Sequence, residues 1–182
     1  MEAIEARGCT LVLVDYQERL LPAIHGGDAA LSRALLLADV ARELGIRVVG
    51  TEQNPAGLGP NVAAIRARCE ATLAKDRFDG CADGLLAYLG GADAAAAPHV
   101  VVAGCEAHVC LMQTALGLLR AGLRVWVVAD ACGSRSPGDH ALAIERLRQA
   151  GAGVVSAEMV VFEWLGTCRH ERFRAVLRRL KE

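Results

Sequence analysis

Short apolar runs recur along this chain, and segments of helical periodicity separate them. Residues 10–14 (TLVLV), 47–51 (RVVGT), 99–103 (HVVVA), 123–129 (LRVWVVA) and 153–155 (GVV) are such runs, and 71–74 (ATLA) is a weaker one. Runs this short, rich in valine and without polar alternation, suit strands covered on both faces, as in parallel sheets. Between the first two, Leu37, Val40, Ala41 and Leu44 keep helical spacing and Gly45 stops it, with Asp28 a candidate N-cap. Ser136 followed by Pro137 is a strong helix start. A helix is also expected over about 82–89, and a last amphipathic one carries Phe173, Val176, Leu177 and Leu180. Strand and helix alternate throughout, which predicts an α/β fold. The expected form is a three-layer αβα sandwich around a six-stranded, mainly parallel, Rossmann-like sheet. A chain of 182 residues, 53% hydrophobic, suits one domain over 1–182. The alanine-rich stretch 92–97 reads as a surface connector.

Composition excludes several functions. A net charge of −1 gives no global field for nucleic acid or acidic membrane. The C-terminal arginines read as a solvated face. No apolar run approaches the roughly 20 residues of a membrane span, and residues 1–9 do not resemble a signal peptide. Seven cysteines, odd in number and without C-x-x-C spacing, argue against a disulfide framework or structural zinc, so a reducing cytoplasm is expected.

The densest segment is 98–122, PHVVVAGCEAHVCLMQTALGLLRAG. A buried strand stops at Gly104, a polar turn follows, and Leu111, Ala115, Leu118 with Met112, Leu116, Leu119 give a helix apolar nearly all round. One side of it should meet the sheet and another a further helix or a second subunit, so a homo-oligomer is expected. Cys110 falls in the first helical turn, where partial positive charge favours thiolate and free N–H groups can hold an oxyanion. Asp15 follows the first run directly. It is either an acid at the carboxyl edge of the sheet, where sites form, or a loop cap. Lys75 ends the weak run. Of the 20 Lys and Arg residues only Lys75 and Lys181 are lysines, and a lysine offers a compact, tunable charge that arginine does not.

An acid, an ammonium and a thiol on one sheet edge make chemical sense together: the acid can take the thiol proton and later pass it to a leaving amine. The Pro- and Gly-rich loop 52–60, with Gln53, either shapes a substrate pocket or is a connector. Tyr16 and Phe78 fit a pocket wall or core packing equally well, and His108 is a pocket or helix-cap candidate. Cys9, Cys69, Cys81, Cys132 and Cys168 read as small packing residues, as does the Cys105 side chain.

Four motifs carry a resemblance. They are LVLVDYQ at 11–17, Lys75 before Phe78, GCEAHVC at 104–110, and DAC at 130–132 followed by Ser134-Arg135-Ser136. In this order they resemble the isochorismatase-like cysteine hydrolase superfamily. The resemblance implies a catalytic triad of Asp15, Lys75 and Cys110. It implies a cis peptide between Cys105 and Glu106, and an oxyanion hole from the N–H groups of Glu106 and Cys110. Metal-dependent nicotinamidases of the superfamily carry extra histidines after the second strand. Here none occurs between His25 and His99, so neither metal nor other cofactor is expected. Retention of Cys110 favours C–N hydrolysis of a small carboxamide or carbamoyl compound through an acyl-thioester. The alternatives are vinyl-ether hydrolysis of an isochorismate-like substrate, or a non-catalytic oligomeric module with a vestigial site.

Overall fold

Six parallel strands form one sheet in the order β3-β2-β1-β4-β5-β6. They are β1 Thr10–Val14, β2 Arg47–Gln53, β3 Ala71–Lys75, β4 His99–Gly104, β5 Arg124–Val128 and β6 Gly153–Val155. The helices are α1 Gly27–Glu43, the single turns α2 Pro55–Leu58 and α3 Ala63–Arg66, then α4 Met112–Arg120, α5 Pro137–Gln149, α6 Ala157–Leu165 and α7 Phe173–Arg179. The computed structural model describes residues 3–89 and 99–181; the connector expected over 92–97 lies outside them. None of the described helices is long and apolar enough to cross a membrane.

The side-chain alternation of β1 splits the core into two layers. Leu11 and Leu13 face one layer with Leu37 and Ala41 of α1, Val160 and Trp164 of α6, and Val176 of α7. Val12 and Val14 face the other with Leu111, Ala115 and Leu118 from the start and body of α4, and Leu147 of α5. Strand order reverses at β1, which lies between β2 and β4. Val14 is in register with Thr51 on one side and Gly104 on the other. The residue after Val14 therefore enters the crevice at the topological switch point, where doubly wound sheets place their sites. Gly104, at φ 153°, lies so close to β1 that a Cβ there would collide with the Val14 carbonyl.

Three local expectations change. The helix expected over 82–89 is two 3-10 turns, Gly80–Asp83 and Leu85–Tyr88, because Gly84 between them sits at φ 102°. The N-cap of α1 is Gly26, with Asp28 inside the first turn. Strands β2 and β3 run on to Gln53 and Lys75, beyond the apolar runs that announced them.

Candidate active site

The site starts from one backbone feature. Asp15 leaves β1 in the left-handed region, at φ 54°, which Asp tolerates better than most residues. Its backbone N–H donates to the Thr51 carbonyl (3.1 Å). One carboxylate oxygen accepts from the Thr51 hydroxyl (2.6 Å), the other from Lys75 Nζ (2.8 Å). Both side chains of this ion pair are wholly buried. Burying charges costs several kcal/mol per ion, which is tolerable where geometry and extra hydrogen bonds satisfy both partners. Lys75 meets that condition. It also donates to Gln53 Oε1 (2.7 Å) and, more weakly, to the Arg77 carbonyl (3.5 Å).

Cys110 completes the cluster. Its Sγ lies 3.8 Å from Gln53 Oε1, the same oxygen that accepts from Lys75 Nζ, and it feels the charges of both Asp15 and Lys75. The side chain is buried. Burial first, and the Asp15 carboxylate next, push its pKa up to about 12 against the pull of Lys75. Burial and the carboxylate thus work against the thiolate that a helix end favours. Cys110 lies in a wide π-helical turn, Ala107–Leu111, ahead of α4, with the Leu111 N–H closing onto the Glu106 carbonyl (3.2 Å). A short helix's end charge is weaker than desolvation beside a carboxylate. These effects favour the protonated thiol, and the Asp15 carboxylate belongs to the same cluster.

The turn that carries the cysteine is clamped from one side. The Cys105–Glu106 peptide is cis. The buried Glu106 carboxylate accepts from the N–H and Nε of Arg135, both at 3.0 Å. The Ala107 N–H donates to the Gly133 carbonyl (2.7 Å), the Gly133 N–H donates to the Gly104 carbonyl (3.1 Å), and the His108 ring pairs with the Ser134 hydroxyl (3.0 Å). Residues 106, 107 and 108 are thus each held by one of residues 133–135.

The pocket candidates separate. His108 stays half-buried at the turn, and Phe78 is exposed just past Lys75. Tyr16 is not a wall. It is fully buried, joins the α1-side core and donates its hydroxyl to the Ala131 carbonyl, because the turn at Asp15 sends the next side chain to that layer. Gln53 is at the site, but its amide is engaged with protein groups rather than lining open space. Cys105 packs in the core. Thr51, and the side chains of Glu106 and Arg135, had no assigned role. Thr51 reads as an ordinary β-former within its run; its only signal is being one residue out of step with Asp15 across the β1–β2 ladder. Among the described residues no group of three or more His, Cys, Asp or Glu is placed to hold a metal ion.

Fold and site together define a doubly wound α/β protein with a cysteine, an acid and an ammonium gathered at its switch point. The chain belongs to the isochorismatase family of hydrolases: the isochorismatase domain model matches residues 9–159. Isochorismatase domain-containing protein 2A of Mus musculus is 35% identical over 172 residues, covering 94% of this chain and 82% of that protein. The solved structure of the MAR1 ribonuclease of Caenorhabditis elegans superposes with a TM-score of 0.91 at 30% identity, covering 100% of this chain and 93% of that one. The YcaC gene product of Escherichia coli, described as an octameric hydrolase of unknown specificity, shares the fold with a TM-score of 0.86 at 24% identity, over 97% and 88% of the two chains.

Proposed function

We propose that this chain is a single-domain cysteine hydrolase that cleaves the C–N bond of a small carboxamide or carbamoyl compound, without metal or other cofactor. One observation carries the reading: the Cys110 thiol, the Asp15 carboxylate and the Lys75 ammonium meet in one buried cluster. As Cys110 attacks, its proton passes to Asp15 and the S–C bond forms. The carbonyl electrons move to oxygen, which the N–H groups of Glu106 and Cys110 receive. The transfer removes the negative charge beside the sulfur while the Lys75 charge stays, so the thiolate is favoured only as it reacts. Asp15 then protonates the departing nitrogen and the C–N bond breaks. Water attacks the acyl-thioester, giving its proton to Asp15, and the sulfur leaves the acid product and is reprotonated. The test is an ammonia-release screen over small amides and carbamoyl compounds. Cys110→Ala should abolish turnover; full activity in that variant sinks the mechanism. Isochorismate belongs in the same screen, where pyruvate in place of ammonia would mark vinyl-ether cleavage. No turnover in either arm would favour the vestigial module.

RNA cleavage, the activity that the C. elegans protein's name carries, is a second activity to assay beside amide hydrolysis. On and beside α7, Arg179 pairs with Glu43 and Asp39, and Arg172 pairs with Glu171. A homo-oligomer fits the exposed Leu142, Met159 and Phe162 on α5 and α6, and light scattering would measure it. All seven cysteines are free, which fits a reducing cytoplasm.

A further inference from the structure

Gln53 belongs neither to the triad nor to the oxyanion turn, yet it is the residue most heavily constrained around them. It ends β2 and is the direct register partner of Lys75 across the β2–β3 ladder. Its backbone is held at both polar groups by one side chain: Gln17 Oε1 accepts from the Gln53 N–H (2.9 Å), and Gln17 Nε2 donates to the Gln53 carbonyl (3.0 Å) and to the Gly59 carbonyl (2.6 Å). Gln17 is itself fully buried. The Gln53 side chain is fixed as well. Its Nε2 donates to the Asp76 carbonyl (2.6 Å), which leaves Oε1 facing Lys75 Nζ at 2.7 Å and Cys110 Sγ at 3.8 Å. The reverse orientation would set N–H groups against an ammonium and an oxygen against a carbonyl. The amide therefore has one stable orientation.

We infer that Gln53 is a positioning residue: its amide oxygen, with Asp15 on the other side, pins the Lys75 ammonium so that the charge stays directed at Cys110. The inference rests on the triad reading above. An ammonium has three donors on a flexible stem. With Asp15 as its sole strong acceptor, the head could pivot about that one bond and its distance to the sulfur would vary. A second acceptor, carried by the adjacent strand and locked by Asp76, removes that freedom. Gln17 then acts one step further out, holding the end of β2 where the 54–60 segment, with its single turn α2, begins.

Lys75 and Lys181 are the chain's only lysines, and Lys181 is exposed near the C-terminus, so the Lys75 side chain can be observed directly. In protein labelled with 13C,15N-lysine, the two ε-methylene protons of a pinned Lys75 should resolve as separate signals, while those of Lys181 average to one. In Gln53→Met, close in size but lacking both amide groups, the Lys75 pair should collapse toward averaging. Alkylation of Cys110 by iodoacetamide, followed by peptide mass spectrometry, should slow about tenfold, the scale of one hydrogen bond to a charged group. Circular dichroism melting checks the fold. Should Gln53→Met fail it, Gln53→Asn keeps an amide but withdraws it by one methylene and should give the same two changes. Unchanged Lys75 signals with unchanged alkylation overturn the inference. Slowed alkylation with unchanged Lys75 signals overturns it too, since Gln53 would then act on the thiol directly. Neither readout needs a substrate, so a negative amide screen sinks the proposed reaction and leaves this result standing.

Discussion

Two kinds of ion pair in this molecule use similar charges to opposite ends. Asp15–Lys75 sits at the carboxyl edge of the sheet with both side chains at 0% exposure. Arg148–Glu145 lies on the outer face of α5, with its side chains 58% and 54% exposed. The outer pair is solvated whether made or broken, so it contributes little. The inner pair has given up its water, and each member depends on the other. Burial does not make the inner pair a stabilising feature; it makes the two charges inseparable, and it ties a third group, the Cys110 thiol, to both. The Glu106–Arg135 pair is intermediate, with a buried carboxylate under a guanidinium 64% exposed.

The largest effect should come from breaking the inner pair on one side. Lys75→Met leaves the Asp15 charge buried without its cation and should cost about 3–5 kcal/mol of stability, along with all turnover. Replacing both partners with uncharged groups, as in Asp15→Asn with Lys75→Met, should recover most of that stability and none of the activity, since Asn tolerates the left-handed backbone at φ 54° and keeps an oxygen for the Thr51 hydroxyl. Urea unfolding of the three proteins measures this; a double variant no more stable than the single one would show that the pair itself holds the sheet edge together. Next in size is Glu106→Gln. The amide keeps the volume but weakens the grip on Arg135, loosening the turn that bears Cys110. Turnover should fall about tenfold for the loss of a charge-assisted hydrogen bond, with a much smaller change in melting temperature. Equal activity in the two proteins would mean that the Gly133 and Ser134 contacts hold the turn alone.

The contrast between these pairs also marks what the chain discloses before it is folded. The parallel sheet was legible because its strands are apolar on both faces, and Gly153–Val155 was readable even at three residues. Lys75 stood out because arginine supplies almost every other cation. Cys110 stood out because a strand, a polar turn and an apolar helix frame it. The contacts that complete the site were not legible, for a physical reason in each case. Gln53 continues β2 as a polar residue beyond the apolar run, held there by Gln17 and by the ladder to β3. The Tyr16 ring turns to the α1 layer because Asp15 adopts a left-handed backbone that no periodicity encodes. The upward push on the Cys110 thiol comes from burial beside a carboxylate, which depends on three strands meeting.

A smaller effect appears in alkali. Burial lifts Cys9 and Cys132 from an ordinary value of 9.0 to about 12, as it does Cys110. Each folded thiol holds its proton more tightly than the unfolded one, so the stability that these groups contribute is complete below pH 9 and is lost as pH rises from 9 toward 12. The urea midpoint should therefore decline across that window. Cys132→Ala should flatten the decline slightly without making it vanish, since Cys9, Cys69, Cys81, Cys105 and Cys110, all raised, remain. A curve as steep as wild type would mean that Cys132 is not buried as described.

The smallest expected effect sharpens the opening comparison from its other end. Arg148→Ala removes the outer pair and should leave both the melting temperature and Cys110 alkylation within experimental error. The Glu145 carboxylate it abandons is more than half exposed and still receives Gln149 Nε2 at 2.8 Å. Water and that amide replace the guanidinium at almost no cost. A clear drop in melting temperature, abolished by 0.5 M salt, would show a screened surface network reaching past this pair. The distinction would then be one of degree. If nothing moves, the difference between the two ion pairs is water: the same chemistry is inert where solvent reaches it and indispensable where solvent does not.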